Sequence, residues 1–184
     1  MSNCGNESPY RIPSMTNSDL STALTRYLDE QQVPYRLLPH QTPATTIEDA
    51  AKQRGIRPAQ MVKCILLRDM SDRYVLACAP GDRAVDPKKV RALMDYRRMT
   101  CVDSSQIYAI TGYQLGTVTP LLLKTPMPIV FDHALQAESM VTISSGNNMA
   151  GVALSLTSLA QLSTPIWADI CRSSELGTFP THQK

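Results

Sequence analysis

Three observations predict an α+β fold: a curved, mixed but mainly antiparallel sheet forming an open barrel, with helices around it. Short apolar runs rich in branched residues recur through the middle of the chain, as in Ile65-Leu66-Leu67 and Val141-Thr142-Ile143. Short amphipathic stretches with helix-start residues are interspersed among them without strict alternation. The two central runs are separated only by the polar segment Asp69 to Asp72, which makes them an antiparallel hairpin.

The elements follow in order. Residues 1–16 and 173–184 read as flexible tails rich in small and polar residues, leaving 17–172 as one domain. Ser18-Asp19 can cap a first helix whose Leu20, Leu24, Tyr27 and Leu28 form one apolar stripe. Pro34 stops it, and Tyr35 to Leu38 form a first strand. Thr45 and Glu48 offer a capping box for a second helix that ends at Gly55. The strands of the hairpin are Gln60 to Leu67 and Tyr74 to Ala79. Asp86-Pro87 starts a helix with Lys88, Lys89 and Arg91 outward and Val90, Leu93 and Met94 inward. A short strand over 97–102 and a brief helix capped by Asp103 lead to a Gly-rich loop, Thr111 to Pro120. Strands over 128–132, 140–144 and 151–156, a short helix near 134–137, a helix over 157–162 and a last strand over 166–170 complete the domain.

Lys63 is out of place in its strand. Its parity puts it on the face of Met61, Ile65 and Leu67, and an unpartnered ammonium leaves water at a cost of several kcal/mol, roughly. It either snorkels out at the strand's end or points into a cleft where an anionic ligand meets it. Glycine and consecutive backbone N–H groups in the 111–120 loop can bind a carbonyl or phosphate, or simply join helix to strand. The basic group Arg83, Lys88, Lys89, Arg91, Arg97 and Arg98 is either a solvated face or an RNA-backbone surface. Tyr96 and Tyr113 could stack on a base or be half-buried in the core. His40 could serve as a general base or adenosine contact, or be a turn residue.

Composition narrows the classes. The chain has 184 residues, 43% hydrophobic and 18% charged, with net charge +2. That is ordinary for a globular domain and too mild to prove a nucleic-acid partner. No run of about 18 apolar residues predicts a membrane span, and the polar N-terminus has no signal-peptide core. Five widely spaced cysteines without a C-x-x-C pair suit a reducing cytoplasm rather than a disulfide framework or a zinc site. The three histidines are scattered, so no metal is expected. No P-loop, Gly-x-Ser-x-Gly or His-Glu-x-x-His pattern occurs.

Val62-Lys63-Cys64-Ile65-Leu66-Leu67, then Asp86-Pro87-Lys88-Lys89-Val90, then Thr111-Gly112-Tyr113-x-x-Gly116-Thr117-Val118-Thr119-Pro120, and later Ile143-Ser144-Ser145-Gly146 occur in that order. The pattern resembles the YbaK/ProX family of aminoacyl-tRNA deacylases, related to the editing domain of bacterial prolyl-tRNA synthetase, over roughly Leu20 to Arg172. The resemblance implies a small barrel-like α+β fold with a cleft for the 3′ end of a mischarged tRNA. It implies cytoplasmic, metal- and cofactor-free hydrolysis of the ester that joins a small wrong amino acid, such as cysteine or alanine, to proline tRNA. Lys63 matches the family's essential lysine. Gly116 and Pro120 match its Gly-x-x-x-Pro loop. Gly112, Tyr113, Thr117, Val118, Thr119, His40, Ser144, Ser145 and Gly146 are the accompanying substrate-binding candidates, with Lys88, Lys89 and Arg91 as contacts to the tRNA backbone. Some relatives place an Asp or His after the Ser-Ser-Gly turn, where this chain has Gly151-Val152-Ala153-Leu154. A non-catalytic module that binds tRNA ends or a protein is the alternative.

Overall fold

The computed structural model describes residues 18–173. The expected N-terminal tail, apart from the domain it precedes, and all but Ser173 of the C-terminal one lie outside the described residues. The elements in chain order are α1 (Ala23–Glu30), β1 (Tyr35–Pro39), α2 (Ile47–Arg54), β2 (Val62–Arg68), β3 (Tyr74–Pro80) and α3 (Pro87–Met94). They continue with β4 (Thr100–Cys101), α4 (Ile107–Thr111), β5 (Ile129–Asp132), β6 (Met140–Ser144), β7 (Ala150–Ser155), α5 (Leu156–Ser163) and β8 (Ile166–Ala168).

Helix starts sit a few residues from where sequence places them. The hydroxyl that caps α1 is Thr22, not Ser18, and it accepts from the Thr25 amide. Thr46, not Thr45, caps α2 by accepting from the Asp49 amide, while the Thr45 amide donates to Asp49. Gly55 closes α2 with φ 68°, the left-handed value that glycine adopts without strain. Asp86 with Pro87 opens α3 as expected. Leu93 is 41% exposed and does not join Val90 in the core. The strand expected over 97–102 is reduced to Thr100 and Cys101.

The expected single curved sheet is corrected to two sheets among the described residues. One is antiparallel with strand order β1-β7-β6; the other is mixed, with order β4-β2-β3-β5-β8. The β2–β3 hairpin is antiparallel, while β3–β5 and β5–β8 are parallel. A bridge from Met61 to Thr142 joins the sheets. The two-residue alternation of β2 and β3 separates two cores. Val62, Leu66, Leu76 and Cys78 face the first, with Phe131 from β5 beside β3, Val141, Ile143, Val152 and Leu154 from the other sheet, and Leu24 and Leu28 from α1. Leu67, Val75, Ala77 and Ala79 face the second, against Val85, Val90 and Ile170. Each fully buried Leu or Phe contributes about 1.5–3 kcal/mol of transfer free energy. Buried Asp132 ties the end of β8 to β5: its carboxylate accepts from the amides of Ala134, Ile170 and Cys171.

Candidate functional site

A cleft of about 390 Å³ opens beside β2. Its position follows from the pairing of that strand. On one edge β2 pairs with β3 along its whole length. On the other edge it pairs with β4 only at Leu67 and Arg68. Lys63, Cys64 and Ile65 therefore border the cleft along an edge that no strand covers. The α2 segment, the loop at Leu115 and Gly116, and the β6–β7 turn supply the remaining walls.

Lys63 lies in this border, and its ammonium donates to the carbonyl oxygen of Arg83, in the loop between β3 and α3. An ammonium has three N–H donors, so one such bond leaves capacity for a ligand. Its cross-strand neighbour Ala79 is small and buried, which leaves room for the lysine stem. Cys64 points to the other face, with its sulfur 3.6 Å from that of Cys78. Burial pushes the Cys78 thiol well up, as does its neighbour Cys64. Cys78 is thus a packing residue rather than a nucleophile.

Five of the expected residues come together at the cleft: Lys63, Gly116, Val118, His40 and Ser144. Gly116 has φ 83° and an open flank, with nothing within 4 Å of an added Cβ. The Thr117 amide is used inside the turn, donating to Gln114 O. The rest of the loop supports rather than lines the cleft. Gly112 ends α4 in the left-handed conformation. Thr117, Thr119 and Pro120 are buried, and the Thr119 hydroxyl has no partner among the described residues. The Tyr113 hydroxyl donates to Leu121 O at 2.6 Å. Its ring lies against Gly146, where an added Cβ would stand 3.4 Å from Cε1. Burial raises the Tyr113 pKa. Tyr113 therefore locks the Gly116 loop to the β6–β7 turn and is not free to stack on a base. Nor is Tyr96, whose face is covered by the Arg73 guanidinium at 3.8 Å. Ser145 is fully buried and its carbonyl accepts from the Thr22 hydroxyl, so Ser145 and Gly146 shape the turn without lining the cleft.

His40 is in the cleft wall but is not available as a general base. Its Nε2 accepts from Arg54 Nε at 3.1 Å, because a guanidinium N–H can only donate. Nδ1 must then carry the proton and donate to Asn148 O, at 2.8 Å. Burial pushes the imidazole pKa down, and the Arg54 charge adds to this. The Asn148 carbonyl and Asp49 pull the other way. His40 is a neutral positioning residue with both nitrogens committed.

Arg54 is the residue that sequence reasoning missed. As the last residue of α2 it looks like an ordinary basic helix end. Instead it turns inward, bonds His40 and Thr142 Oγ1 (3.1 Å), and lies on the backbone of Gly151. An added Cβ at Gly151 would stand 2.9 Å from Arg54 Cδ and overlap the guanidinium. Gly151 was thus the available signal, since glycine inside a strand marks a close approach. An ionisable group does lie beside Ala153, but it comes from α2: Arg54 bonds Thr142, the cross-strand partner of Ala153.

On α3, Lys88 and Arg91 are exposed, whereas Lys89 is engaged with Asp169 at 3.0 Å. Among the described residues, no group of three or more metal-ligating side chains is gathered, and no helix is long and apolar enough to cross a membrane.

Residues 41–162 match the aminoacyl-tRNA editing domain family. The protein YwhH of Bacillus subtilis is 25% identical over 136 residues, which span 73% of this chain and 86% of YwhH. EbsC of Enterococcus faecalis, named as a candidate Cys-tRNA(Pro)/Cys-tRNA(Cys) deacylase, is 22% identical over 81% of this chain and 92% of its own length. A proline–tRNA ligase of Bacillus licheniformis is 30% identical over 109 residues, only 18% of that enzyme. Among solved structures, a candidate trans-editing enzyme for prolyl-tRNA synthetase superposes with a TM-score of 0.71. That pair shares 22% identity, with 87% of this chain and all of that one covered.

Proposed function

We propose that this chain, which belongs to the family of aminoacyl-tRNA editing domains, is a trans-acting deacylase that hydrolyses the ester of a mischarged tRNA. The observation that carries the reading is the cleft itself. A lysine on a rigid strand and an open-flanked glycine loop border one cavity, within the stretch that matches the editing family. The likeness to EbsC and to a candidate trans-editing enzyme for prolyl-tRNA synthetase supports action in trans. A small amino acid on proline tRNA, cysteine first, is the substrate favoured by EbsC's name.

The chemistry asks little of the protein. The aminoacyl ester is already labile, so catalysis consists of holding it and stabilising the oxyanion that forms when water, or water assisted by the neighbouring ribose hydroxyl, attacks the carbonyl. Lys63 offers the fixed positive charge, to the terminal phosphate or to the ester oxygen. Backbone amides at Gly116 and Val118, which have no acceptor among the described residues, offer hydrogen bonds to the carbonyl. Lys88 and Arg91 on α3 are the available contacts for the tRNA backbone.

The test is a panel of tRNAs charged with cysteine, alanine, serine, threonine and proline, incubated with the purified protein. The reading expects at least one mischarged tRNA to be deacylated much faster than in buffer, with correctly charged proline tRNA spared. Tight tRNA binding with no turnover anywhere on the panel would replace it with a binding module.

A further inference from the structure

Arg54 is a buried-edge cation with no counter-ion. A guanidinium carries five N–H donors. Two reach acceptors, His40 Nε2 and Thr142 Oγ1, and both acceptors are neutral. None of the ion pairs among the described residues includes Arg54. On the same helix, Asp49 is occupied by the Gln53 side chain and the Thr45 amide. Burial lowers the Arg54 pKa to about 10, which leaves it charged at neutral pH. A charge taken out of water without a partner is retained at a cost of several kcal/mol, roughly, unless something binds it.

The surroundings hold it in place for a ligand. His40 is fixed by Asn148, and the guanidinium fits the notch that Gly151 leaves. The same cavity wall carries Ser144, Asn147 and Asn148, which add neutral polar groups and no carboxylate. The other end of the cavity is apolar, with Leu66, Val102 and Ile107. The lining thus holds two cations, Lys63 and Arg54, and no carboxylate.

We propose that Arg54 is a specificity-determining residue that takes an oxyanion of the ligand, a carboxylate or a phosphate, at the α2 end of the cleft. A planar fork of N–H donors suits both groups. The phosphate would be the one on the terminal adenosine; a carboxylate would mean an acidic aminoacyl side chain in place of the small one favoured above. The assignment to an aminoacyl-tRNA rests on the function proposed above, whereas anion binding at Arg54 does not.

Isothermal titration separates the sources with two matched pairs of probes. Adenosine 5′-monophosphate against adenosine reports phosphate; the 3′-amide of adenosine with glutamate against that with glutamine reports carboxylate. Wild-type protein is expected to favour the anionic member of at least one pair by about tenfold or more, which is about 1.4 kcal/mol. Arg54→Met should erase that preference, with Arg54→Lys keeping part of it. Gly151→Ala should also erase it, since the new methyl displaces the guanidinium without removing it. Equal affinity for both members of both pairs in the wild type, or a preference that survives in folded Arg54→Met, would overturn the proposal. If no mischarged tRNA is hydrolysed but the preference disappears with Arg54, the deacylase reading fails and the anion site stands.

Discussion

Replacing Lys63 by methionine keeps the aliphatic stem against β3 and removes only the ammonium. The structural loss is one hydrogen bond to the Arg83 carbonyl. The side chain is half-buried, so water can take over that carbonyl, and the net cost should fall near 1 kcal/mol, within the usual range for one hydrogen bond. The catalytic loss should be larger. A preorganised charge facing a developing oxyanion typically supplies about 3–4 kcal/mol, or roughly a hundred- to a thousandfold in kcat. If the ammonium instead grips the terminal phosphate in ground state and transition state alike, KM rises and kcat stays. Single-turnover deacylation of the best substrate on the panel, with a urea melt of the same preparation, separates the three quantities. A folded Lys63→Met protein with both kcat and KM within about threefold of wild type would refute the placement of this charge at the reacting centre.

Two further outcomes test the frame around the site. Gly81→Ala should destabilise by about 1–3 kcal/mol in urea unfolding. Its Cβ would stand 2.7 Å from Pro58 O and 2.9 Å from Ile47 Cγ2, and the contacted carbonyl belongs to backbone that cannot swing aside; an unchanged midpoint would show that the two segments separate easily. For His40, burial first and Arg54 second hold the folded-state pKa below the unfolded value of about 6.5. The unfolded chain then takes up the proton first as pH falls, so this contribution is complete above about pH 6.5 and is lost as pH drops through the folded pKa. Denaturation series at neutral and mildly acidic pH should show a smaller loss for His40→Asn than for wild type, and parallel losses would contradict the neutral tautomer.

Local signals carried much of the architecture. The β2–β3 hairpin, the Asp86-Pro87 helix start and the Gly55 stop each depend on a few adjacent residues, and each is found. Choosing Thr22 over Ser18 and Thr46 over Thr45 was beyond such reasoning, because neighbouring hydroxyls have nearly equal capping power and packing selects between them. The division into two sheets was also hidden, since it depends on β1 pairing with β7 more than a hundred residues later. At the site, Lys63 was conspicuous as a charge in an apolar strand. Arg54 was not, because its meaning comes from Gly151 on a distant strand. The surroundings of Tyr96 and His40 were hidden for the same reason: each has its partner in a residue that the local sequence does not reveal, Arg73 for one and Arg54 for the other.

The seam between the two sheets has a mechanical consequence. Strands β2 and β6 meet through the Met61–Thr142 bridge rather than a continuous ladder, and the cleft lies along that seam. Moving one sheet slightly against the other leaves every ladder bond within each sheet intact. The aperture of the cleft is therefore governed by side-chain packing, a soft restraint beside a ladder of backbone hydrogen bonds. On the function proposed above, a joint of this kind would let a single-stranded tRNA end enter and leave without unfolding any element, while β2 stays paired to β3 along its whole length.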